Sequence, residues 1–275
     1  MAVRGKDLPI RPAVEEKIDL GNWSLQTTQS HILRSQCKCN GGVQCNHCLY
    51  AETLKIPDLP EMTFDRNVLT LTHVGSGCKV LLNTLDALKL VDDKQDIIKV
   101  SYSQEWLAKR QDSSHIKNTP KPFDWTFSTA YSGTLLNSET HELSESTTTQ
   151  EPDQEKLLRR DKILHHTELV MFEDELADNG SSKLLVKCRV MPTFILVLLR
   201  HYLRVDKVMI RVQETRLFCE HDWDYFLRDV TLREASFNDL KHLQTSLVYE
   251  DEGPINQHLK VVKRVLDKVS IVECK

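Results

Sequence analysis

The fold is decided by one stretch, FEDELADNGSSKLLVKCRVMPTFILVLLRHYLRVDKVMIRVQETR, which covers Phe172–Arg216. Within it, Leu184–Met191 alternates apolar residues with lysine and arginine, which predicts a strand with one buried face. Pro192 suits the first turn of a helix, and we expect that helix to run through Thr193–Arg204. Lys207–Val212 alternates again and predicts a second strand. The stretch therefore predicts a buried strand–helix–strand unit.

Two topologies fit this unit: a right-handed crossover between parallel strands, or a helix packed on an antiparallel sheet. Hairpin signals elsewhere in the chain favour the second. Val68–His73 and Lys79–Leu82 both have the composition of strands, and Gly75–Gly77 supplies a tight turn between them. We therefore predict an α+β fold, with a single domain built from an antiparallel-rich sheet and packed helices.

The remaining elements are expected where the hydrophobic period and the turn residues change. Further strands are predicted at Asn22–Thr27, Ile97–Val100, Phe123–Phe127 and Leu169–Phe172, with a loop or edge strand at Glu139–Thr149. Helices are predicted at Leu49–Ile56, Leu85–Leu90, Ser103–Lys109, Asp153–His165, Asp222–Asn238 and Asn256–Val269. The chain then divides into a flexible arm (1–20), a main domain (21–245) with a cysteine-rich insertion (35–48), and a tail helix (246–275).

Composition limits the class of protein. The 275 residues are 40% hydrophobic and carry a formal net charge of -4, from 36 basic and 40 acidic residues. Such a near-balance argues against a general nucleic-acid surface, because phosphate contacts need a basic excess. The longest apolar run, Val190–Leu199, is far shorter than the roughly 20 residues that span a bilayer. With no apolar leader visible, we expect a cytoplasmic protein that binds neither nucleic acid nor membrane.

Four cysteines stand apart from the other four. Cys37 and Cys39 form a C-x-C pair, and Cys45 and Cys48 form a C-x-x-C pair, with His47 as a spare ligand. Four thiolates in so short a segment can surround one tetrahedral zinc, which would be structural because no coordination position stays open. The alternative is a cysteine-rich insertion without metal. The other cysteines are scattered, as reduced thiols in a core are.

Catalytic motifs are scarce in the sequence. No phosphate-binding loop, G-x-S-x-G or H-E-x-x-H motif occurs. One alternative function is a metal-dependent enzyme, with ligands drawn from His165, Glu173, Asp174 and His221. Another is a zinc-bearing adaptor, in which the cysteine segment itself recruits a partner. A solvated acidic strand end explains the histidine and acidic residues better than a metal site, so we expect no catalytic residues and no required cofactor.

A series of short motifs resembles one known family. They are Leu59-Pro-Glu-Met62, Asn83-Thr-Leu-Asp-Ala-Leu88, Lys121-Pro-Phe-Asp-Trp-Thr126, Gly133-Thr-Leu135, Phe172-Glu-Asp-Glu-Leu176 followed by Gly180, Arg189-Val-Met-Pro192, Leu199-Arg200, Leu203-Arg204-Val205-Asp206 and Ile210-Arg211 through Thr215-Arg216-Leu217. In this order and at this spacing the chain resembles the TIP-forty-one-like family, the TOR signalling pathway regulator-like proteins. The resemblance covers roughly residues 20–240, and it leaves out the four-cysteine segment and the tail beyond residue 250.

The resemblance implies a non-catalytic binding protein. Members of that family bind the catalytic subunit of type 2A serine/threonine protein phosphatases and regulate it in TOR and stress signalling. The Tap/alpha-four regulator is implied as a further partner. The residues that the resemblance assigns to partner binding are Asp86, Arg211, Val212, Glu214, Thr215 and Arg216. An extended peptide docking along a strand would suit such a row of alternating side chains.

Overall fold

Two antiparallel sheets carry the fold of the protein. The computed structural model describes residues 12–34, 37, 39, 44–54, 56, 58–91, 125–243, 248 and 253–274. In chain order the strands are β1 (Val14–Leu20), β2 (Trp23–Gln29), β3 (Met62–Thr63), β4 (Val68–His73), β5 (Lys79–Asn83), β6 (Thr134–Leu136), β7 (His141–Thr147), β8 (His165–Asp174), β9 (Gly180–Val190), β10 (Phe194–Val205), β11 (Met209–Glu220), β12 (Tyr225–Ser236) and β13 (Lys260–Glu273).

The smaller sheet has five strands in the order β1-β2-β4-β5-β6, and the larger has eight in the order β3-β8-β9-β10-β11-β12-β13-β7. Strands β8 to β13 follow one another across the larger sheet as an antiparallel meander. The described helices are α1 (Asn46–Thr53), α2 (Thr84–Lys89), α3 (Gln154–Leu158) and a 3-10 turn at Pro254–His258. In the described part of the chain, no helix is both long and apolar enough to cross a membrane.

The main hydrophobic core lies where the two sheets share their buried side chains. Trp23 and Leu71 of the smaller sheet belong to one cluster with Val186, Leu199 and Leu217 of the larger sheet. We call this side of the larger sheet its inner face and the opposite side its outer face. Because side chains alternate along a strand, β9 to β11 carry buried residues on both faces. The outer face therefore also needs a cover.

Two smaller clusters cover part of the outer face. Tyr202, Ile210 and Val212 pack against side chains from the segment after β12, which includes Leu240, Val248, Ile255 and Leu259. Farther along the sheet, Phe194 and Phe218 pack with Leu227 and with the partly buried Leu157 of α3. Between these two covered areas the outer face presents polar and charged side chains, which form part of the candidate site.

The hairpin and several strands agree with the sequence-based predictions. Strands β4 and β5 form the expected antiparallel hairpin, around a turn in which Gly77 has a φ of 77°. Strands β2 and β9 lie where alternation predicted them, β8 contains the predicted strand Leu169–Phe172 and extends beyond it, and β7 is an edge strand of the larger sheet. The prediction of antiparallel sheets is confirmed, although helices contribute less than the α+β description anticipated.

The predicted helix at Thr193–Arg204 is wrong, since these residues form β10. Its apolar run is continuous because β10 lies inside the larger sheet and is buried on both faces. A run of that kind does not distinguish a buried strand from a buried helix by its period. The structure therefore replaces the expected strand–helix–strand unit by three consecutive antiparallel strands.

Two further predicted helices are strands. Residues of the predicted Asp222–Asn238 helix form β12, and the predicted tail helix Asn256–Val269 is a 3-10 turn followed by β13. In both segments, backbone pairing within the larger sheet outweighs local helical spacing, because β12 and β13 each have a strand on either side. The tail thus belongs to the sheet.

Smaller corrections concern the ends of the predicted segments. The end of the expected flexible arm is a strand, because Val14–Leu20 pairs with β2 along its whole length. The helix predicted at Asp153–His165 is limited to α3, and His165 already begins β8. Residues 125–126 form a turn at the end of the predicted aromatic strand. The predicted elements at Ile97–Val100 and Ser103–Lys109 lie outside the described residues.

Candidate partner-binding site

Asp86 lies in the first turn of α2, directly after β5. Asn83 caps this helix, and the two residues bond reciprocally: the Asp86 amide donates to Asn83 Oδ1 at 2.8 Å, and Asn83 Nδ2 donates to the Asp86 carboxylate at 2.8 Å. Thr134 Oγ1 and Lys89 Nζ donate to the same carboxylate at 2.8 and 3.0 Å. Burial opposes ionisation of Asp86, but these hydrogen bonds outweigh it and lower the pKa of the carboxyl. Asp86 is therefore a fixed negative charge that is 23% exposed.

A chain of hydrogen bonds links Asp86 to β11. Thr134, which bonds Asp86, also lies 3.1 Å from the hydroxyl of Tyr131, and that hydroxyl donates to the Leu81 carbonyl at 2.8 Å. The backbone carbonyl of Tyr131 accepts a hydrogen bond from Gln213 Nε2 at 3.4 Å. Gln213 lies on the inner face of β11. Asp86 is thus positioned on the inner side of the larger sheet.

Arg211 shares this inner face, since it is two residues from Gln213 on the same strand. Its guanidinium donates to the carboxylate of Glu234, the residue directly opposite on β12. Nearby, His201 of β10 is buried, and its Nε2 lies 3.2 Å from Ser182 Oγ. Burial, helped by the positive charge of Arg211, lowers the pKa of His201 to about 3. The Arg211 side chain is only 15% exposed.

Glu214 and Arg216 lie on the outer face. The Glu214 side chain is 1% exposed and accepts two hydrogen bonds from Arg200, from Nε at 2.8 Å and from Nη2 at 2.6 Å. Arg216 and Asn256 also donate to it, Asn256 at 2.7 Å, and Arg233 lies 3.6 Å away. These five residues, Glu214, Arg200, Arg216, Arg233 and Asn256, form what we call the Glu214 cluster.

The Glu214 cluster has an excess of positive charge. Three guanidinium groups surround one carboxylate, and Arg216 is the most exposed of the three, with 52% of its side chain accessible. Arg233 Nη1 and Asn256 Oδ1 are buried and have no hydrogen-bond partner among the described residues. The carboxylate of Asp229, directly opposite Arg216 on β12, interacts electrostatically with Arg216 and is paired with Arg264 at 2.7 Å. The cluster can therefore offer Arg216 to a carboxylate from outside.

The other two residues assigned to partner binding are buried. Val212 is covered on the outer face by the segment that follows β12. Thr215 points to the inner face, and its hydroxyl is buried without a hydrogen-bond partner among the described residues. The six predicted residues therefore do not form one continuous patch. Asp86, Arg211 and Thr215 belong to the inner side, and Val212, Glu214 and Arg216 to the outer.

The sequence-based prediction assigned no binding role to several residues that shape the two sides. On the outer face these are Arg200, Arg233 and Asn256, and on the inner side Thr134, Tyr131 and Gln213. A strand assignment for Thr193–Arg204 would have placed Arg200 directly opposite Glu214 in the antiparallel register. The contact of Asn256 with Glu214 had no local signal in the sequence, because the two residues meet only through the tertiary fold.

The alternative metal-enzyme ligands do not converge. His165 begins β8 and Asp174 ends it, so strand geometry places them about 30 Å apart. His165 Nε2 lies 3.6 Å from a Glu16 carboxylate oxygen, while Asp174 accepts backbone amides from Glu61 at 3.0 Å and Leu176 at 2.6 Å. One ion cannot bind both ends of the strand, so this geometry contradicts the four-residue site.

The four cysteines of the predicted metal site do come together. The sulfurs of Cys37, Cys39, Cys45 and Cys48 all lie within 4.8 Å of one another. Cys45 precedes α1 and Cys48 lies in its first turn, so the helix positions two of the four sulfurs. Contact with Cys37 and the other two sulfurs raises the pKa of the Cys48 thiol. We call these four residues the cysteine cluster.

Comparison with known proteins identifies the family. The model of the TIP41-like family matches residues 62–241. The chain belongs to the TIP41-like family. The matched range contains Asp86 and all of β11, whereas the cysteine cluster precedes it.

Individual relatives cover most of the chain. The human TIP41-like protein is 40% identical over 253 residues, which are 92% of this chain and 89% of the relative. The Caenorhabditis elegans TIP41-like protein is 39% identical over 262 residues, 94% of this chain and 91% of the relative. A Saccharomyces cerevisiae protein named type 2A phosphatase activator TIP41 is 34% identical over 268 residues, 90% of this chain and 72% of the relative.

Proposed function

We propose that the protein binds the catalytic subunit of type 2A serine/threonine phosphatases and regulates these enzymes without performing catalysis itself. The observation that carries the proposal is the similarity to the S. cerevisiae relative, whose name describes a type 2A phosphatase activator. Its 34% identity extends over 90% of this chain, which is more than a shared local motif.

The outer face supports a role in binding a protein segment. Arg216 is exposed and belongs to a cluster with three guanidinium groups for one carboxylate. Because Glu214 is buried and held by Arg200 and Asn256, the cluster is fixed before any partner arrives. A fixed arginine with spare donors suits a carboxylate of an extended or terminal peptide segment. We therefore place the main contact with the phosphatase at Arg216.

The inner side supplies a second, weaker contact in this proposal. Asp86 is ionised, partly exposed and held by three side-chain donors, so it offers a fixed negative charge. Arg211 is largely occupied by Glu234. A partner that touches both sides would have to pass around the sheet, so the two contacts can be tested separately.

Binding is tested by titrating the full chain with a purified type 2A catalytic subunit. The Arg216→Gln variant removes the exposed charge while Arg200 and Arg233 still face Glu214. We expect it to weaken affinity at least about ten-fold, the size of a strong single contact at an interface. Asp86→Asn, which keeps the shape of the side chain, should weaken it less, by roughly two- to five-fold.

Arg189→Gln is the matched control. Arg189 is an exposed arginine on β9 of the same sheet, and it lies outside the Glu214 cluster. Its replacement should change affinity by less than about two-fold. No binding by the unmodified chain overturns the proposed function. Equal losses in Arg216→Gln and Arg189→Gln would show that only total charge matters and that Arg216 is not the contact.

The proposed signalling context rests on the family resemblance and is tested separately from binding. We propose that the protein acts in the cytoplasm in TOR and stress signalling, with the Tap/alpha-four regulator as a further partner. Affinity capture from a cell extract with the unmodified chain and with Arg216→Gln would test this. The phosphatase should be reduced in the variant capture, and recovery of the regulator without the phosphatase would indicate that it binds independently.

A further inference from the structure

The spacing of the sulfurs in the cysteine cluster matches the size of a single-ion site. Cys37 Sγ lies 3.3 Å from Cys48 Sγ and 3.8 Å from Cys45 Sγ, and Cys39 Sγ lies 3.6 Å from Cys48 Sγ. A tetrahedral zinc with Zn–S bonds of about 2.3 Å separates its sulfurs by roughly 3.8 Å. A disulfide would bring two of them to about 2.05 Å. The three distances therefore fit shared coordination of one ion.

Backbone amides support the sulfurs. The Cys39 amide donates to Cys37 Sγ at 3.4 Å, and the Cys45 amide donates to Cys39 Sγ at 3.3 Å. Amide hydrogen bonds of this kind stabilise thiolate over thiol and orient a ligand before metal arrives. Without a cation, four adjacent thiolates would repel one another. The arrangement thus has the donors for a metal site and needs a positive charge at its centre.

We propose that the cysteine cluster binds one zinc ion through four thiolates. Four thiolates favour zinc or iron–sulfur chemistry over magnesium, calcium or manganese. The 4.8 Å limit on the separation of all four ligand atoms leaves room for one ion and not for a multi-iron cluster. Four protein ligands close the coordination sphere, so the zinc is structural. His47 lies outside this set of four ligands.

The ion would tie the start of α1 to the segment that carries Cys37 and Cys39. The helix already contacts the core through Tyr50, which is buried and whose hydroxyl donates to the Asp65 carbonyl at 3.3 Å. Asn46 donates to the Asp65 carboxylate. Burial raises the pKa of Tyr50, and the carboxylates of Asp65 and Asp86 raise it further, so the ring lies near both acids. Zinc at the start of α1 thus stabilises a helix that neighbours the inner side of the candidate site.

Metal content of the full chain, purified under reducing conditions with zinc present, is the first test. We expect about one zinc per chain. The variant Cys45→Ser with Cys48→Ser should retain less than roughly a tenth of that amount. Serine is a good residue before a helix, so Cys45→Ser should not unfold α1. The matched control, Cys274→Ser, changes an exposed cysteine outside the cluster and should keep its zinc.

Spectroscopy and hydrogen exchange complete the test. Cobalt added to the metal-free chain should give the absorption of a tetrahedral tetrathiolate, and His47→Ala should give the same spectrum. Chelation should speed amide exchange in α1 about ten-fold or more and leave β10 unchanged. Iron in place of zinc, two disulfides in the reduced preparation, or equal zinc in the double variant and control would each overturn the proposal. None of these readouts depends on phosphatase binding.

Discussion

The two faces of β11 use the same kinds of side chain in different ways. On the inner face, Arg211 bonds to one carboxylate, Glu234, and is 15% exposed. On the outer face, Arg216 shares the buried Glu214 with two other arginines and is 52% exposed. The inner arginine is part of a balanced pair, whereas the outer one belongs to a cluster with surplus positive charge.

This difference teaches that proximity in sequence does not define a site on a strand. Alternation places Arg211 and Arg216 on opposite faces although they are only five residues apart in the sequence. The balanced pair contributes to holding β11 on β12, and the unbalanced cluster can receive a charge from a partner. A mutation on each face should therefore change a different property.

The largest effect is expected from Glu214→Gln, which removes the one negative charge of the Glu214 cluster. Three guanidinium groups would then face one another across a buried amide. Breaking a buried ion pair from one side costs about 3–5 kcal/mol, and we expect a loss near the lower end because glutamine still accepts hydrogen bonds. Urea unfolding at neutral pH measures this loss in the free energy of unfolding.

Glu151→Gln is the control for Glu214→Gln. Glu151 pairs with Arg264 at 3.1 Å, but its side chain is half exposed. Loss of such a pair costs about 1 kcal/mol or less. If Glu214→Gln were equally mild, the arginines would have to move apart into solvent, and the outer face would not be a fixed cluster.

An intermediate effect on the inner face concerns pH. The pKa of His201 is lowered to about 3 by burial and by Arg211, while an unfolded histidine titrates near 6.5. Between these values the unfolded chain binds the proton and the folded chain does not. The stabilisation is therefore complete above pH of about 6.5 and is lost as the pH falls, with a slope of up to about 1.4 kcal/mol per pH unit.

His201→Gln tests this slope. Glutamine cannot take up the proton and can still bond Ser182, so the free energy of unfolding should depend less on pH between about 6.5 and 4. Denaturant unfolding at several pH values, compared with the unmodified chain, provides the measurement. Parallel pH profiles for the two chains would show that His201 is accessible to protons in the folded state.

Strands of the larger sheet could be predicted from the sequence where their side chains alternate between buried and exposed, and not where this alternation is missing. In β9, buried Val186 and Cys188 alternate with Lys187 and Arg189, so the period of two is clear. In β10, both faces are apolar over much of the length, and the period disappears. In β13, the apolar residues have the spacing of a helix. The segment is nevertheless a strand, because it pairs with β12 and β7. Local patterns fail where the partners come from distant parts of the chain.

The same distinction applies to the candidate sites. The cysteine cluster was predictable because its ligands are close in sequence and their spacing carries the chemistry. Asp86 and β11 were found through family motifs, which do not reveal on which face a side chain lies. Arg200 and Asn256 surround Glu214 from positions 14 and 42 residues away in the chain. No local sequence pattern shows that Arg200, Glu214 and Asn256 meet in the fold.

The smallest expected effects come from removing the helix caps beside the two faces. Asn83 caps α2 on the inner side, where Ala87 and Leu88 are buried, while Asp153 caps α3 beside the outer face, and no residue of α3 is fully buried. Asn83→Ala should cost about 1 kcal/mol of unfolding free energy, and Asp153→Ala less than about 0.5 kcal/mol, because fraying α3 exposes little. Thermal unfolding of both variants measures the pair. Equal losses would mean that α3 holds the outer face as firmly as α2 holds the inner side.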